Sequence, residues 1–257
     1  MAKWLRFELD GQTRIGTLEN GTIDIHAGDM FAGAESTGET AELADVTVVT
    51  PCDPGKMVCL WNNFRALTAK MEGEIPEEPL WFLKAPSSYI GTNETIRRPK
   101  SYDGPVVYEG EIGIVIGKTC SQVPEADIAD YIFGYTCIND ITAVKIISKD
   151  ATFAQWTRSK SYDGFGVFGP VIATDVDPMA LTIKTVLNGD ERQNYPVNDM
   201  TFPPHKLTSL ISHDVTLMPG DVIACGTSVG VGSMKEPENK VEITIDGIGS
   251  LSNTFVN

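Results

Sequence analysis

The stretch Val106-Val107-Tyr108-Glu109-Gly110-Glu111-Ile112-Gly113-Ile114-Val115-Ile116-Gly117-Lys118 decides how this chain is read. It alternates and is rich in Val and Ile, the pattern of a β-strand. Side chains on a strand repeat every second residue, so Glu109 and Glu111 leave the same face about 7 Å apart along it. A third acid, Asp140, ends the apolar run YIFGYTCIND, which also reads as a strand or strand end. A carboxylate in apolar surroundings is costly unless something pairs with it. Three of them at one point would repel, and one or more would keep a proton unless a cation lay between them. A hard divalent cation with oxygen ligands resolves that conflict most simply. The other reading of the three acids is an exposed strand face with an aspartate in a turn.

Outward from this stretch the chain remains strand-rich. Residues 1 to about 50 form short strands broken by turns at Asp10–Gln12 and Asn20–Thr22, and FAGAESTGETAELADV reads as a short helix within a loop. PCDPG at Pro51–Gly55 is a strong break and a candidate boundary between the short strands of 1–51 and the larger part, 52–257. KMVCLWNN and PLWFLKAP read as strands around an amphipathic helix FRALTAKMEGE and a GEIPEEP loop. VPEADIADYI opens as a short helix at Pro124 and Glu125. LTIKTVLNGDERQ is a hairpin with NGD at its tip, HKLTSLISHD a helix, and KVEITIDGIGSLSNTFVN a strand pair. The fold class is α+β, dominated by strands.

With 257 residues and 42% hydrophobic content the chain can build a substantial core. A net charge of −15 argues against nucleic acid and against anionic membranes, which both need clustered Lys and Arg. No apolar run approaches the roughly 20 residues of a membrane span, and the start lacks a signal-peptide core. Five scattered cysteines without a CxxC pair fit thiols in a reducing cytoplasm. Three histidines without ligand spacing argue against zinc, and His205 and His213 read as solvated or capping residues. The glycine-rich Gly226–Gly232 stretch lacks the GK[ST] ending of a phosphate loop.

PLWFLKAPSSYIG, YEGEIGIVIGK, GYTCINDITA, SKSYDGFGVFGPVIAT, NGDERQ, TLMPGDVIACGTSVGVG and IDGIGSLSN, in that order, resemble the fumarylacetoacetate hydrolase family. The resemblance covers nearly the whole chain and is closest to the bacterial branch of 2-hydroxyhepta-2,4-diene-1,7-dioate isomerases, decarboxylases and acylpyruvate hydrolases. It implies a catalytic domain built as a mixed β-sandwich or β-roll, a homodimer, and a Mg²⁺ or Mn²⁺ site that Ca²⁺ can also fill in crystals. The metal ligands it implies are Glu109, Glu111 and Asp140. By the same match Lys160, in SKSYD, binds and polarises the substrate, Thr227 contacts its carboxylate, and Gln193 falls at a motif position. Arg65 is a further candidate clamp for a distal carboxylate.

The chain departs from the family pattern at two places. Leu67 stands where the hydrolases carry the histidine of NYxxH, and Val144 and Ile147 stand where an arginine and a glutamine help an oxyanion. Hydrolysis of a carbon–carbon bond needs an activated water and donors for the oxyanion, and losing the base costs about 10²–10⁴-fold. Decarboxylation or isomerisation of a 2-oxo or 2-hydroxy-dienoate (di)carboxylate, as in aromatic-acid catabolism, needs an electron sink and a proton shuttle, for which Glu72, Glu74, Glu77 or Glu78 is available. The expected activity is therefore lyase or isomerase. The alternatives are an acylpyruvate-type or fumarylpyruvate-type hydrolase and a non-catalytic metal-dependent binder.

Overall fold

The structure is a computed structural model that describes all 257 residues. The chain opens as a meander of β1 (Lys3–Leu9), β2 (Gln12–Glu19), β3 (Thr22–Ala27) and β4 (Glu35–Glu42), followed by β5 (Thr47–Val48). β6 (Met57–Trp61) and β7 (Leu80–Lys84) are antiparallel neighbours whose connection holds α1 (Arg65–Lys70). The short β8 (Tyr89–Ile90), β9 (Thr95–Arg97) and β10 (Val106–Tyr108) lead to the central pair, β11 (Gly110–Ile116) and β12 (Ile132–Asp140). β13 (Thr142–Ala143), α2 (Val144–Ile147), α3 (Trp156–Lys160) and β14 (Gly166–Ala173) come next. The last third holds β15 (Thr182–Leu187), β16 (Asp190–Pro196), α4 (Pro204–Asp214), β17 (Val222–Ala224), β18 (Gly232–Ser233), β19 (Glu238–Ile245) and β20 (Gly249–Val256).

These strands form three sheets. The largest runs β4-β3-β2-β1-β14-β12-β11-β17-β6-β7, with β5 on β1 and β8 on β14. A five-stranded sheet, β16-β15-β19-β20-β9, packs against one of its faces, and a small sheet is ordered β13-β10-β18. The main core fills the space between the two larger sheets with Ile112, Ile114, Ile183, Ile243 and Leu251. A second core lies on the opposite face of the large sheet, where Met57, Cys59, Phe82, Val115 and Ile138 meet. Burying apolar surface on both faces explains why β11 is a nearly continuous hydrophobic run with every residue buried.

The strand-dominated α+β reading holds, as do the turns at 10–12 and 20–22 and the NGD hairpin. Two local expectations do not. Residues 35–42 form β4, paired with β3 from Thr22↔Glu42 to Ala27↔Glu35, where a short helix was expected. An edge strand exposed on both faces carries no alternation, so its polarity resembles a loop. The EGEIGIVIGK strand also starts later than its pattern: the chain changes sheets at Glu109, with β10 pairing β13 and β18, and β11 pairing β12 and β17. The Glu109 amide donates to Asn139 Oδ1 (3.1 Å) and the Asp140 amide to the Glu109 carbonyl (2.9 Å), which fixes this junction against the end of β12.

Candidate metal centre

Glu109, Glu111 and Asp140 converge. One carboxylate oxygen from each lies within 4.8 Å of the other two. β12 pairs with β11 in the register Gly110↔Asn139 and Glu111↔Ile138, which brings the last residue of one strand beside the first residues of the other. Glu111 and Asp140 are fully buried, and the Glu109 side chain is 14% exposed. Both buried acids point to the face that carries the second core.

Two lysines enter the same space. Lys160 Nζ lies 2.8 Å from Glu109 Oε2 and 2.7 Å from Asp140 Oδ2. Lys84 Nζ makes a 2.5 Å ionic contact with Asp140 Oδ1 and donates to the carbonyls of Lys160 (2.5 Å) and Phe165 (3.0 Å). With two hydrogen bonds and one ionic contact, Lys84 ties Asp140 to α3 and to the loop before β14. Glu109 Oε1 accepts from Thr142 Oγ1 at 2.9 Å, and Glu111 Oε2 from the Gly226 amide at 2.8 Å. Glu111 Oε1 is buried with no hydrogen-bond partner.

These contacts set the protonation of the site. Burial pushes the Glu111 carboxyl well above its ordinary value, and the charges on Asp140 and Glu109 add to the rise. Burial also raises Glu109, with Lys160 opposing it. Burial would raise Asp140 too, but Lys160 and Lys84 outweigh it and hold this carboxyl below the usual range. Lys160 runs the opposite way: burial disfavours its charge, yet Asp140, Glu109 and Glu111 hold its proton more tightly than in water. With all three acids ionised, three carboxylates against two lysines would carry one excess negative charge in a dry place, and the raised Glu111 carboxyl answers that excess by holding a proton.

Asp140 Oδ1 has only its ionic contact with Lys84, and Glu111 Oε1 has neither a hydrogen bond nor an ion pair. Such an all-oxygen set fits a hard divalent cation, and no histidine or cysteine intrudes to favour a softer one. Burial, reinforced by the charge of Asp140, pushes the Cys59 thiol up, so it offers no thiolate to the site.

Other expected residues fall into place unequally. Gln193 and Thr227 are buried next to the cage, but both hold Gly110, the residue between the glutamates. Gln193 Oε1 accepts from the Gly110 amide at 3.0 Å, Thr227 Oγ1 donates to its carbonyl at 3.0 Å, and Gln193 Nε2 donates to Thr227 Oγ1 at 2.8 Å. Tyr195 Oη also donates to the Gly110 carbonyl, at 2.5 Å. Arg65 is exposed at the start of α1 and forms no ion pair, while Leu67 packs against the main core. Val144 is exposed and Ile147 half-buried in α2. A cavity of about 860 Å³ is lined by Leu5, Val48, Thr92, Pro170 and Ser252, between the meander and β20, and includes none of the three acids.

Sequence reasoning missed Lys84, Asn139 and Thr142. For Lys84 a signal exists. In LWFLK the alternation puts Phe82 and Lys84 on one face, and a lysine on the buried face of a strand needs an anion.

Residues 56–256 match the family model Fumarylacetoacetate (FAA) hydrolase C-terminal, and residues 2–51 match Rv2993c-like, N-terminal. The chain belongs to the fumarylacetoacetate hydrolase family. It is 35% identical over 224 residues to the oxaloacetate tautomerase YisK of Bacillus subtilis, covering 82% of this chain and 73% of that protein. The crystal structure of 2-hydroxyhepta-2,4-diene-1,7-dioate isomerase from Mycobacterium marinum has the same fold at a TM-score of 0.91 and 35% identity, covering 100% of this chain and 98% of the other. The maleylpyruvate hydrolase of Sphingobium sp. SYK-6, solved in complex with manganese(II) ion and pyruvate, has a TM-score of 0.78 at 26% identity, covering 99% and 98%. Isomerase, tautomerase and hydrolase all occur among these relatives, which places the chain among enzymes.

Proposed function

We propose that this protein is a divalent-metal-dependent enzyme that isomerises, tautomerises or decarboxylates 2-oxo or 2-hydroxy-dienoate carboxylates. The observation that carries this reading is the buried three-carboxylate cage, with its partnerless Glu111 oxygen. Glu109, Glu111 and Asp140 would hold Mg²⁺ or Mn²⁺. When bound, such an ion supplies a Lewis acid that polarises a 2-oxo group. The chain's own residues do the rest. Lys84 fixes Asp140 from behind, so the carboxylate keeps its aim. Gln193, Thr227 and Tyr195 clamp the Gly110 peptide and so set the spacing of the two glutamates. Lys160 carries a tightly held proton at the cage, where it steadies negative charge growing on a substrate oxygen. Glu72, Glu74, Glu77 and Glu78 are exposed on the segment after α1 and supply the proton shuttle.

The tautomerase and isomerase names among the relatives support this class. The hydrolase neighbour keeps a second reading in view, cleavage of acylpyruvates. Leu67, an apolar side chain set against the core, offers no base for water there. On this reading residues 1–51 form a small N-terminal β domain and 52–257 the catalytic domain, a division supported by where the two family matches fall. The working form is a cytoplasmic homodimer that engages a small 2-oxo acid and neither nucleic acid nor membrane.

Oxaloacetate and acetylpyruvate, followed by NMR with Mn²⁺ and with EDTA, test the proposal. Metal-dependent enol–keto exchange or CO₂ loss from oxaloacetate is expected, with slow acetylpyruvate cleavage that Leu67→His accelerates. Efficient acetylpyruvate cleavage by the unaltered protein would establish the hydrolase instead. Binding without turnover of either compound would make the chain a binder.

A further inference from the structure

The inner face of β7 runs from the cage into an aromatic surface. Cys59↔Phe82 and Trp61↔Leu80 are cross-strand partners of β6 and β7, so Trp61, Leu80, Phe82 and Lys84 share one face. α3 lies over it. The Trp156 ring stacks on Phe82 with centroids 5.7 Å apart and planes at 21°, and meets Trp61 at 4.7 Å. One turn further along α3, Lys160 Nζ sits 5.5 Å over the same Phe82 ring while it holds Glu109 and Asp140. Phe82 is therefore the joint between the charged cage and the aromatic surface. Phe82 itself is buried beneath Trp156 and Lys160, whereas Trp61 and Trp156 are half-buried and Leu80 is 42% exposed, so the outer edge of this surface is open.

Its fringe is acidic. The β6–β7 connection begins and ends at the Trp61–Leu80 pair, and it carries Glu72, Glu74, Glu77 and Glu78 against Arg65 and Lys70. Asn62 Nδ2 donates to the Glu74 carbonyl at 3.5 Å, which keeps this segment beside Trp61. Arg158, on α3, has its guanidinium turned to Gln155 Oε1 at 2.9 Å. Flat π faces bind other flat unsaturated groups. Like charges repel a carboxylate that approaches the same rim.

Resting on the 2-oxo-acid reading above, we propose that the preferred substrates are 2-oxo monocarboxylates with an unsaturated or aryl tail. The tail lies on the open edges of Trp61 and Trp156, which Phe82 backs from beneath, and a second carboxylate at that end is selected against. The head is held at the cage and the tail is sorted by the rings.

Binding to the Mn²⁺-loaded full chain tests this by calorimetry with three probes: oxalate (a head without a tail), phenylpyruvate and 2-oxoglutarate. Phenylpyruvate is expected to bind at least about tenfold more tightly than 2-oxoglutarate, given stacking on one side and charge repulsion on the other. Trp156→Ala is expected to weaken phenylpyruvate about fivefold and leave oxalate within about twofold, with Trp156→Phe restoring most of the loss. Tighter binding of 2-oxoglutarate than of phenylpyruvate overturns the proposal. Equal weakening of oxalate and phenylpyruvate by Trp156→Ala overturns it too, because the ring then serves only to pack α3. Failure of oxalate to bind the unaltered protein removes the 2-oxo-acid reading itself, and the tail assignment with it.

Discussion

β4 and β11 belong to one sheet and could hardly be more different. β4, at the sheet's edge, leaves seven of its eight residues exposed, whereas all seven residues of β11 are buried. Around β4 a charge can rely on water. Around β11 each charge must find its partner inside the protein, and Glu109, Glu111, Asp140, Lys84 and Lys160 do so through one another, Thr142 and the backbone. The partnerless Glu111 oxygen is the residue of that demand, and it marks where a cation belongs. Cavity size tells a different story. A hollow of about 860 Å³ borders the meander, while the cage is packed with lysine side chains. Here chemistry is located by unsatisfied charge, and volume misleads.

The contrast predicts unequal effects of substitution. Asp140→Ala removes the acid that both lysines share and leaves two buried cations without it, a loss of about 3–5 kcal/mol. Denaturant melts of the two proteins would show it, and a loss below about 1 kcal/mol would mean the cage is wetter than its burial implies. Gly110→Ala comes next. A Cβ there would lie 2.0 Å from Thr185 Oγ1 and 3.1 Å from an Ile243 side-chain carbon. The strand must move, at about 1–3 kcal/mol, and with it the spacing of Glu109 and Glu111. Mn²⁺ affinity should fall in this variant even where the protein stays folded, and unchanged affinity would separate the Gly110 clamp from the metal site.

Acidity sharpens the same comparison. Burial raises the Glu111 carboxyl, so protons compete with a cation there at a higher pH than at an ordinary carboxylate. Mn²⁺ affinity should rise with pH, with proton release on binding visible as a buffer-dependent heat. Binding independent of pH would mean Glu111 already stands ionised. At the sheet's other end, Arg14 and Glu39 form a 3.1 Å pair with the carboxylate two-thirds exposed. Arg14→Ala should change stability by less than about 1 kcal/mol. A larger loss would show that the meander depends on its surface charges after all.

Much of the site was legible in the amino-acid order, for a physical reason. Glu109 and Glu111 declare themselves because a two-residue period survives in an apolar strand, and Asp140 because it ends another. The junction at Glu109 was not legible. It depends on Asn139, Gln193 and Thr227 reaching Gly110 and its neighbours from 30, 83 and 117 residues away. Lys84 was missed because a lysine before Ala-Pro looks like a strand end in water. The two-residue period it shares with Phe82 is the one sequence signal, and the α3 carbonyl and Asp140 show what it pairs with. β4 was missed for the opposite reason. It is wet on both faces, so no burial pattern is imprinted on it. Legibility follows burial: β11 and β12 are almost wholly buried and show it through the acids that interrupt their apolar runs, β4 is too exposed, and the contacts that finish the cage are too distant in sequence.

The central claim is that Glu109, Glu111 and Asp140 together hold one divalent cation. A Mn²⁺ titration of the metal-free protein followed by electron paramagnetic resonance tests it most directly. One ion per chain, bound by the unaltered protein and lost when any of the three acids becomes alanine, is the predicted result. No bound ion at all, or one that survives the removal of Glu111, would contradict the account.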